Sequence, residues 1–177
     1  MFRRNRIALI LIILCLQTAP FLFAAELWGA DWVFGGFLAN PIDGASYLAK
    51  MQEGWAGGWK FTLLYSAEAT TGAPLFLFYI LLGHLARVLG APLIWVFHAA
   101  RVAASLGLIA ALAALCDRCF PDDPRSADRA TWLAALGGGL GWLGLVFTGQ
   151  PGADFWISEG YPFLSMFVNP HFPLGLA

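Results

Sequence analysis

Between Ile7 and Ala25 the chain runs through IALILIILCLQTAPFLFAA, nineteen residues without one charged side chain. At about 1.5 Å per helical residue the run reaches about 28 Å, close to the hydrocarbon thickness of a bilayer. In lipid such a segment must satisfy its own backbone N–H and C=O groups, which a helix does alone. A secretory signal peptide is the competing reading. The apolar part is long for one, and Leu22/Ala24 and Phe23/Ala25 make poor small-x-small cleavage pairs. With Arg3, Arg4 and Arg6 just before it, the run reads as an uncleaved first span over about residues 7–25, basic end cytoplasmic.

Two more apolar runs follow, over about 92–116 and 130–148. Hydrophobic residues make up 59% of the 177 and charged ones 12%, where a soluble domain carries about 25% charge. Mean hydropathy is +0.70. Alternation at barrel spacing is absent, so the expected fold is an all-α membrane protein, a polytopic helical bundle in a cell (plasma) membrane. A net charge of −1 without a Lys/Arg run excludes nucleic acid as a partner; the bilayer is the expected one. Cys15 lies in an apolar run, and Cys116 and Cys119 form a lone C-x-x-C with no second pair and no nearby His. They read as ordinary thiols at a helix end rather than a zinc or redox site.

Residues 26–91 form a long first loop, expected to be external. Trp28 and Trp32 suit the membrane interface. Gly35-Gly36 and Asn40-Pro41 are breakers, Asp43 is placed as the N-cap of a short helix to about Glu53, and Gly54 to Gly58 end it. The stretch 73–90, APLFLFYILLGHLARVLG, is apolar but short for a span. It either crosses or lies in the membrane surface as an interfacial or re-entrant helix. Charge decides between them. If 73–90 crosses, the connector Asp117 to Arg129, with Arg118, Arg125 and Arg129, falls outside, against the positive-inside tendency. If it stays at the surface, the connector joins the arginine-rich N-terminus in the cytoplasm. A second external loop then covers 149–171, and Asp43, Glu53, Glu68, Asp154 and Glu159 face one compartment. The glycines from Gly137 to Gly144 permit close helix contact. Phe172 to Ala177 reads as the start of a further span, so the chain is expected to be the N-terminal part of a larger bundle.

Asp43, Tyr47 and Lys50 share a helix face at i, i+4 and i+7. A carboxylate just outside a span can act as a general base or hold a divalent cation, and an N-cap role is the plainer alternative. Asp154 and Glu159 offer a second acidic site, or are polar decoration of a loop. Two H-x-A-R pairs, His84/Arg87 and His98/Arg101, each lie on one helix face. Arg101 sits inside a span, where a guanidinium needs a partner: a phosphate, a salt bridge to another helix, or the interface by snorkelling. No phosphate-binding loop, nucleophile elbow or H-E-x-x-H occurs.

Asp43 after the first span, then Tyr47-Leu48-Ala49-Lys50-Met51, Gly58-Trp59 and Gly72-Ala73-Pro74-Leu75, together resemble the start of GT-C-type membrane glycosyltransferases. That superfamily includes protein O-mannosyltransferase-like and aminoarabinose-transferase-like enzymes. The resemblance implies transfer of a sugar from a polyprenyl-phosphate carrier at the outer face, with surface-lying helices in the first loop. It implies Asp43 as base, with Tyr47 and Lys50 supporting it on the loop helix. Arg101, with His98, Arg87 and His84, would bind the donor phosphate. Asp154, Glu159 and His171 would form the acceptor or second acidic site. Many members carry paired acids in the first loop, whereas Gly44 follows Asp43 here, so the resemblance leaves open whether a divalent cation takes part. A non-catalytic transporter or flippase component for a lipid-linked saccharide is the alternative from another class, and an inactive fragment is a third.

Overall fold

A computed structural model describes residues 4–27, 33–63, 67–68, 71–138, 141–150, 152–155 and 157–177, with the side chains of residues 4, 141, 142 and 153 excepted. Arg3, Trp28, Trp32 and Gly139, used above, lie outside the described residues. Regular structure among the described residues is helical, apart from one antiparallel bridge between Phe61 and Ala73. The helices are α1 (Arg4–Leu27), α2 (Pro41–Trp55), α3 (Leu77–Leu89), α4 (Leu93–Cys119), α5 (Pro124–Leu136), α6 (Gly141–Thr148), α7 (Pro162–Val168) and α8 (His171–Leu176). Short 3-10 turns cover Ala153–Phe155 and Ser158–Gly160. Two segments, Asn5–Leu27 and Leu93–Cys119, are long and apolar enough to cross a membrane.

The chain divides into two compact units, residues 36–100 and the remainder. In the larger unit α1 and the body of α4 run antiparallel. Arg6 meets Asp117, Gln17 meets Ser105 and Phe21 meets Arg101, in opposite chain order. Leu9 and Ile13 pack with Leu108 and Ile109, and Ala135 of α5 and Met166 of α7 complete that core. The outer face of α1 is as apolar as the inner: Ile7, Leu11, Leu16 and Phe23 are exposed. A helix apolar all round is covered by protein or by lipid.

Arg6 closes one end of this unit. Its guanidinium donates to both oxygens of Asp117 at 2.7 Å and to Asp128 Oδ1 at 2.8 Å. Gln17 and Ser105 meet at 2.9 Å in the middle of the pair. Ser105 has one hydroxyl hydrogen, which the carbonyl of Arg101 takes at 2.8 Å. The Gln17 amide is therefore best oriented with its nitrogen donating to Ser105 Oγ, which satisfies a buried N–H that the opposite orientation strands.

Three expectations are corrected here. The run 130–148 is not one helix: α5 stops at Leu136, Gly137 turns extended (ψ 124), and α6 begins at Gly141. Consecutive glycines remove the side chains and raise the backbone entropy cost that a continuous helix must overcome. The connector 117–129 is mostly helix. Asp117 and Arg118 belong to α4, and α5 starts at Pro124, with Asp123 accepting from the backbone N–H groups of Arg125 and Ser126. Hydrogen bonding to Ser126 holds the Asp123 carboxyl below its usual range. Nor do Gly138 and Gly144 mediate close helix contact: a side chain at Gly138 would meet nothing, and at Gly144 only the nearby Gln150 and Gly152 backbone.

In the smaller unit α2 and α3 lie side by side and run parallel. Tyr47 stacks on Tyr79, the backbone of Met51 abuts Gly83, and Gly58 reaches His84. The segment between them returns the chain, and the Phe61–Ala73 bridge pins it. The close approach needs two glycines. A Cβ at Gly54 would strike the carbonyl of Ile80, and one at Gly83 the carbonyl of Met51. The segment Gly54–Gly58 thus packs before it terminates. With 13 residues, α3 is about 20 Å long, against about 30 Å for the hydrocarbon core of a bilayer. It buries Tyr79, Ile80, Leu82 and Ala86 and leaves Leu81, Leu85, Val88 and Leu89 exposed.

Candidate functional site

Asn40 takes a left-handed backbone (φ 48, ψ 55), which asparagine tolerates, and Pro41 opens α2. Asp43 is therefore not the N-cap. It stands in the first turn of α2, exposed, where the positive end of the helix dipole favours its charge. One turn on, Tyr47 stacks on Tyr79 with ring centroids 4.4 Å apart and planes within 9°.

Lys50 completes this face and is buried, with 8% of its surface exposed. Its ammonium sits 4.0 Å from the centroid of Phe76, 4.8 Å from Tyr47 and 5.8 Å from Phe61, and donates to Ser46 Oγ at 3.2 Å. Three ring faces around one ammonium form a cation–π enclosure. Phe76 holds a left-handed backbone (φ 55, ψ 32) at the start of α3, a conformation costing a bulky residue about 1–2 kcal/mol. The enclosure is thus built at the expense of local strain. Burial lowers the Lys50 pKa from 10.5, and the charge of Asp43 opposes that shift. Burial, then the neighbouring Tyr47 and Asp43, raise the Tyr79 phenol well above its ordinary value. The group is an exposed carboxylate beside a shielded cation and a bank of aromatic rings.

Of the residues expected to bind the donor phosphate, Arg87 of α3 is not gathered at Asp43. Because α2 and α3 are parallel, Arg87 lies eight residues past Tyr79 while Asp43 lies four before Tyr47, about 18 Å apart along the axes. Arg87 is exposed beside Gly57. His84 donates from Nε2 to the carbonyl of Gly58 at 2.9 Å and stacks on Trp59 at 4.1 Å. His98 contacts the carbonyl of Gly36 at 3.0 Å and packs on Phe37 and Phe97. All three are in the smaller unit, and both histidines hold backbone in place. Arg101, in the larger unit, is 1% exposed. It donates to the carbonyls of Met166 and Phe167 at 3.3 and 3.1 Å, with its guanidinium 4.5 Å from the centroid of Phe21. It caps the end of α7, which is the partner its burial demands.

The second acidic group also belongs to the larger unit. Asp154 lies in the first 3-10 turn and is half-buried; Glu159 is exposed in the second, 3.4 Å from Ser158 Oγ. His171 opens α8 with its ring against Phe172 at 4.1 Å. Among the described residues no group of three or more His, Cys, Asp or Glu side chains could hold a metal ion. Sequence reading placed Asp43, Tyr47 and Lys50 together but missed Phe61, Phe76 and Tyr79. Their only advance signal is the aromatic density of the stretch Phe61–Tyr79. No protein-family model matches the chain, and neither curated proteins nor solved structures give a match.

Proposed function

We propose that this is a multi-pass membrane protein with a cytoplasmic N-terminus, and that Asp43 serves sugar transfer from a polyprenyl-phosphate carrier at the outer face of the plasma membrane. The observation that carries the reading is Asp43 itself: an exposed carboxylate beside Lys50 and an aromatic bank, between two membrane-length helices. Saccharides suit such a group. Their hydroxyls donate to carboxylates, and their C–H faces pack on rings such as Phe76, which is 45% exposed.

The antiparallel order of α1 and α4 supports the topology. The Arg6–Asp117 contact puts the start of α1 and the end of α4 at one end. The chain between the two helices then leaves and re-enters at the opposite end, and the short, two-sided apolar α3 lies along the membrane surface. In the reaction Asp43 accepts the proton of an acceptor hydroxyl as its oxygen attacks the anomeric carbon. The bond from that carbon to the carrier phosphate breaks with inversion, and the phosphate leaves on the carrier. A transporter or flippase component would need a charged side chain lining its route, and Arg101 is the candidate inside a span. Buried against two carbonyls, Arg101 gives that reading no support.

The test is transfer of radiolabelled sugar from a polyprenyl-phosphate donor in proteoliposomes. Asp43→Asn is expected to lose transfer while inserting and folding normally; full transfer by that variant refutes the assignment.

A further inference from the structure

One end of the larger unit carries a groove that the proposed reaction does not use. It holds about 610 Å³ and is lined by Asn5 and Ala8 of α1 and by Arg125, Asp128, Arg129 and Leu133 of α5, with Trp132 beside them. Its charged part is cationic in effect. Asp128 is committed to Arg6 at 2.8 Å. Arg125 and Arg129 are exposed, stand one turn apart, and form no ion pair among the described residues. Asp123, close enough to feel the charge of Arg129, is occupied in capping α5. Of the remaining lining, Asn5 is polar, while Ala8, Trp132 and Leu133 form an apolar wall, with Leu133 74% exposed. The groove adjoins Arg6 at the start of α1, the level at which a membrane-spanning α1 enters the headgroup layer.

We infer that this groove binds an anionic phospholipid, its phosphodiester against Arg125 and Arg129 and its first acyl methylenes along Ala8, Trp132 and Leu133. Guanidinium groups match phosphate oxygens in charge and geometry. A soluble phosphate would use the arginines and leave the apolar wall wet, whereas a phospholipid covers both. The inference rests on the membrane reading above but not on sugar transfer.

Lipid retention in detergent micelles, read by native mass spectrometry, tests it with dioleoyl-phosphatidylglycerol, dioleoyl-phosphatidylcholine and inorganic phosphate as probes. The native chain is expected to retain phosphatidylglycerol in preference to phosphatidylcholine. Arg125→Gln with Arg129→Gln is expected to weaken phosphatidylglycerol by about thirtyfold, taking each basic residue at the usual strength for an anionic surface. The double lysine variant keeps most of the binding, and Leu133→Glu, at an exposed position, loses it. Equal retention of the two lipids, unchanged retention after the glutamine or Leu133→Glu substitutions, or displacement by excess inorganic phosphate each overturns the inference. Normal retention by a protein inactive in sugar transfer leaves it standing and counts against the catalytic reading alone.

Discussion

Arg6 and Asp117 are joined by two parallel N–H···O bonds of 2.7 Å across 111 positions of sequence. This bidentate pair fixes the direction of α4 against α1, and a third bond from Arg6 Nε brings Asp128 of α5 to the same end. The Arg6 side chain is 6% exposed, that of Asp128 9% and that of Asp117 40%. Removing one partner of a buried pair strands the other, at a cost of about 3–5 kcal/mol. Asp128→Ala is expected to cost about 3 kcal/mol in micellar unfolding, and Asp117→Ala less, because water reaches that carboxylate. Equal and negligible effects would show that the pair does not hold the helices.

Gly54 and Gly83 let the backbones of α2 and α3 touch. Alanine at either meets a carbonyl that cannot move aside, so each substitution is expected to destabilise the smaller unit by about 2–3 kcal/mol, the upper range for overpacking. Gly107→Ala in α4, where a Cβ meets nothing, is the control and is expected to gain up to about 1 kcal/mol. Hydrogen exchange of the α2 and α3 amides separates the two outcomes.

Lys50 and Lys60 are the only lysines of the chain, so isotope-labelled lysine gives two resolvable NMR signals. Lys50 should titrate below its ordinary 10.5, and Asp43→Asn should lower it further, because the charge opposing the burial shift is gone. The sign for stability follows. A folded pKa below the unfolded one means that the unfolded chain binds more protons in that interval. The penalty for the buried ammonium is present at lower pH and is relieved as pH rises through the folded pKa towards 10.5. A Lys50 signal indifferent to Asp43→Asn would show that the two charges do not influence each other, against the site as built.

Cys119 is exposed, at the end of α4 that carries Asp117. Under the proposed topology an impermeant thiol reagent should modify it only after cells are permeabilised, whereas a cysteine placed at exposed Gln52 of α2 should react from outside. Ready labelling of Cys119 in intact cells would invert the orientation and put the α5 groove on the outer face.

Much of the helical plan is legible in the sequence because it depends on composition over many residues. The uncharged run of α1 and the apolar length of α4 each specify a helix whatever they pack against. The shortness of 73–90 likewise anticipates a brief helix, and α3 has 13 residues. Boundaries were harder to read. The apolar count over 130–148 suggested one span, but the glycines after Leu136 outweigh hydropathy. Asp43 looked like an N-cap because aspartate favours that place, yet Asn40 and Pro41 started α2 three residues earlier.

The sequence by itself determined the all-helical character of this protein and the helix face shared by Asp43, Tyr47 and Lys50, because helical periodicity is a local property. Only the tertiary structure decided what surrounds that face. The parallel packing of α2 on α3, permitted by Gly54 and Gly83, carries Tyr79 onto Tyr47 and Phe76 onto Lys50 while leaving Arg87 at the far end. The same holds for Arg101 and Arg6. Sequence shows that a guanidinium in an apolar setting needs a partner, but not which one. Partner choice rests on contacts between residues distant in the chain, and those exist only once the helices have packed.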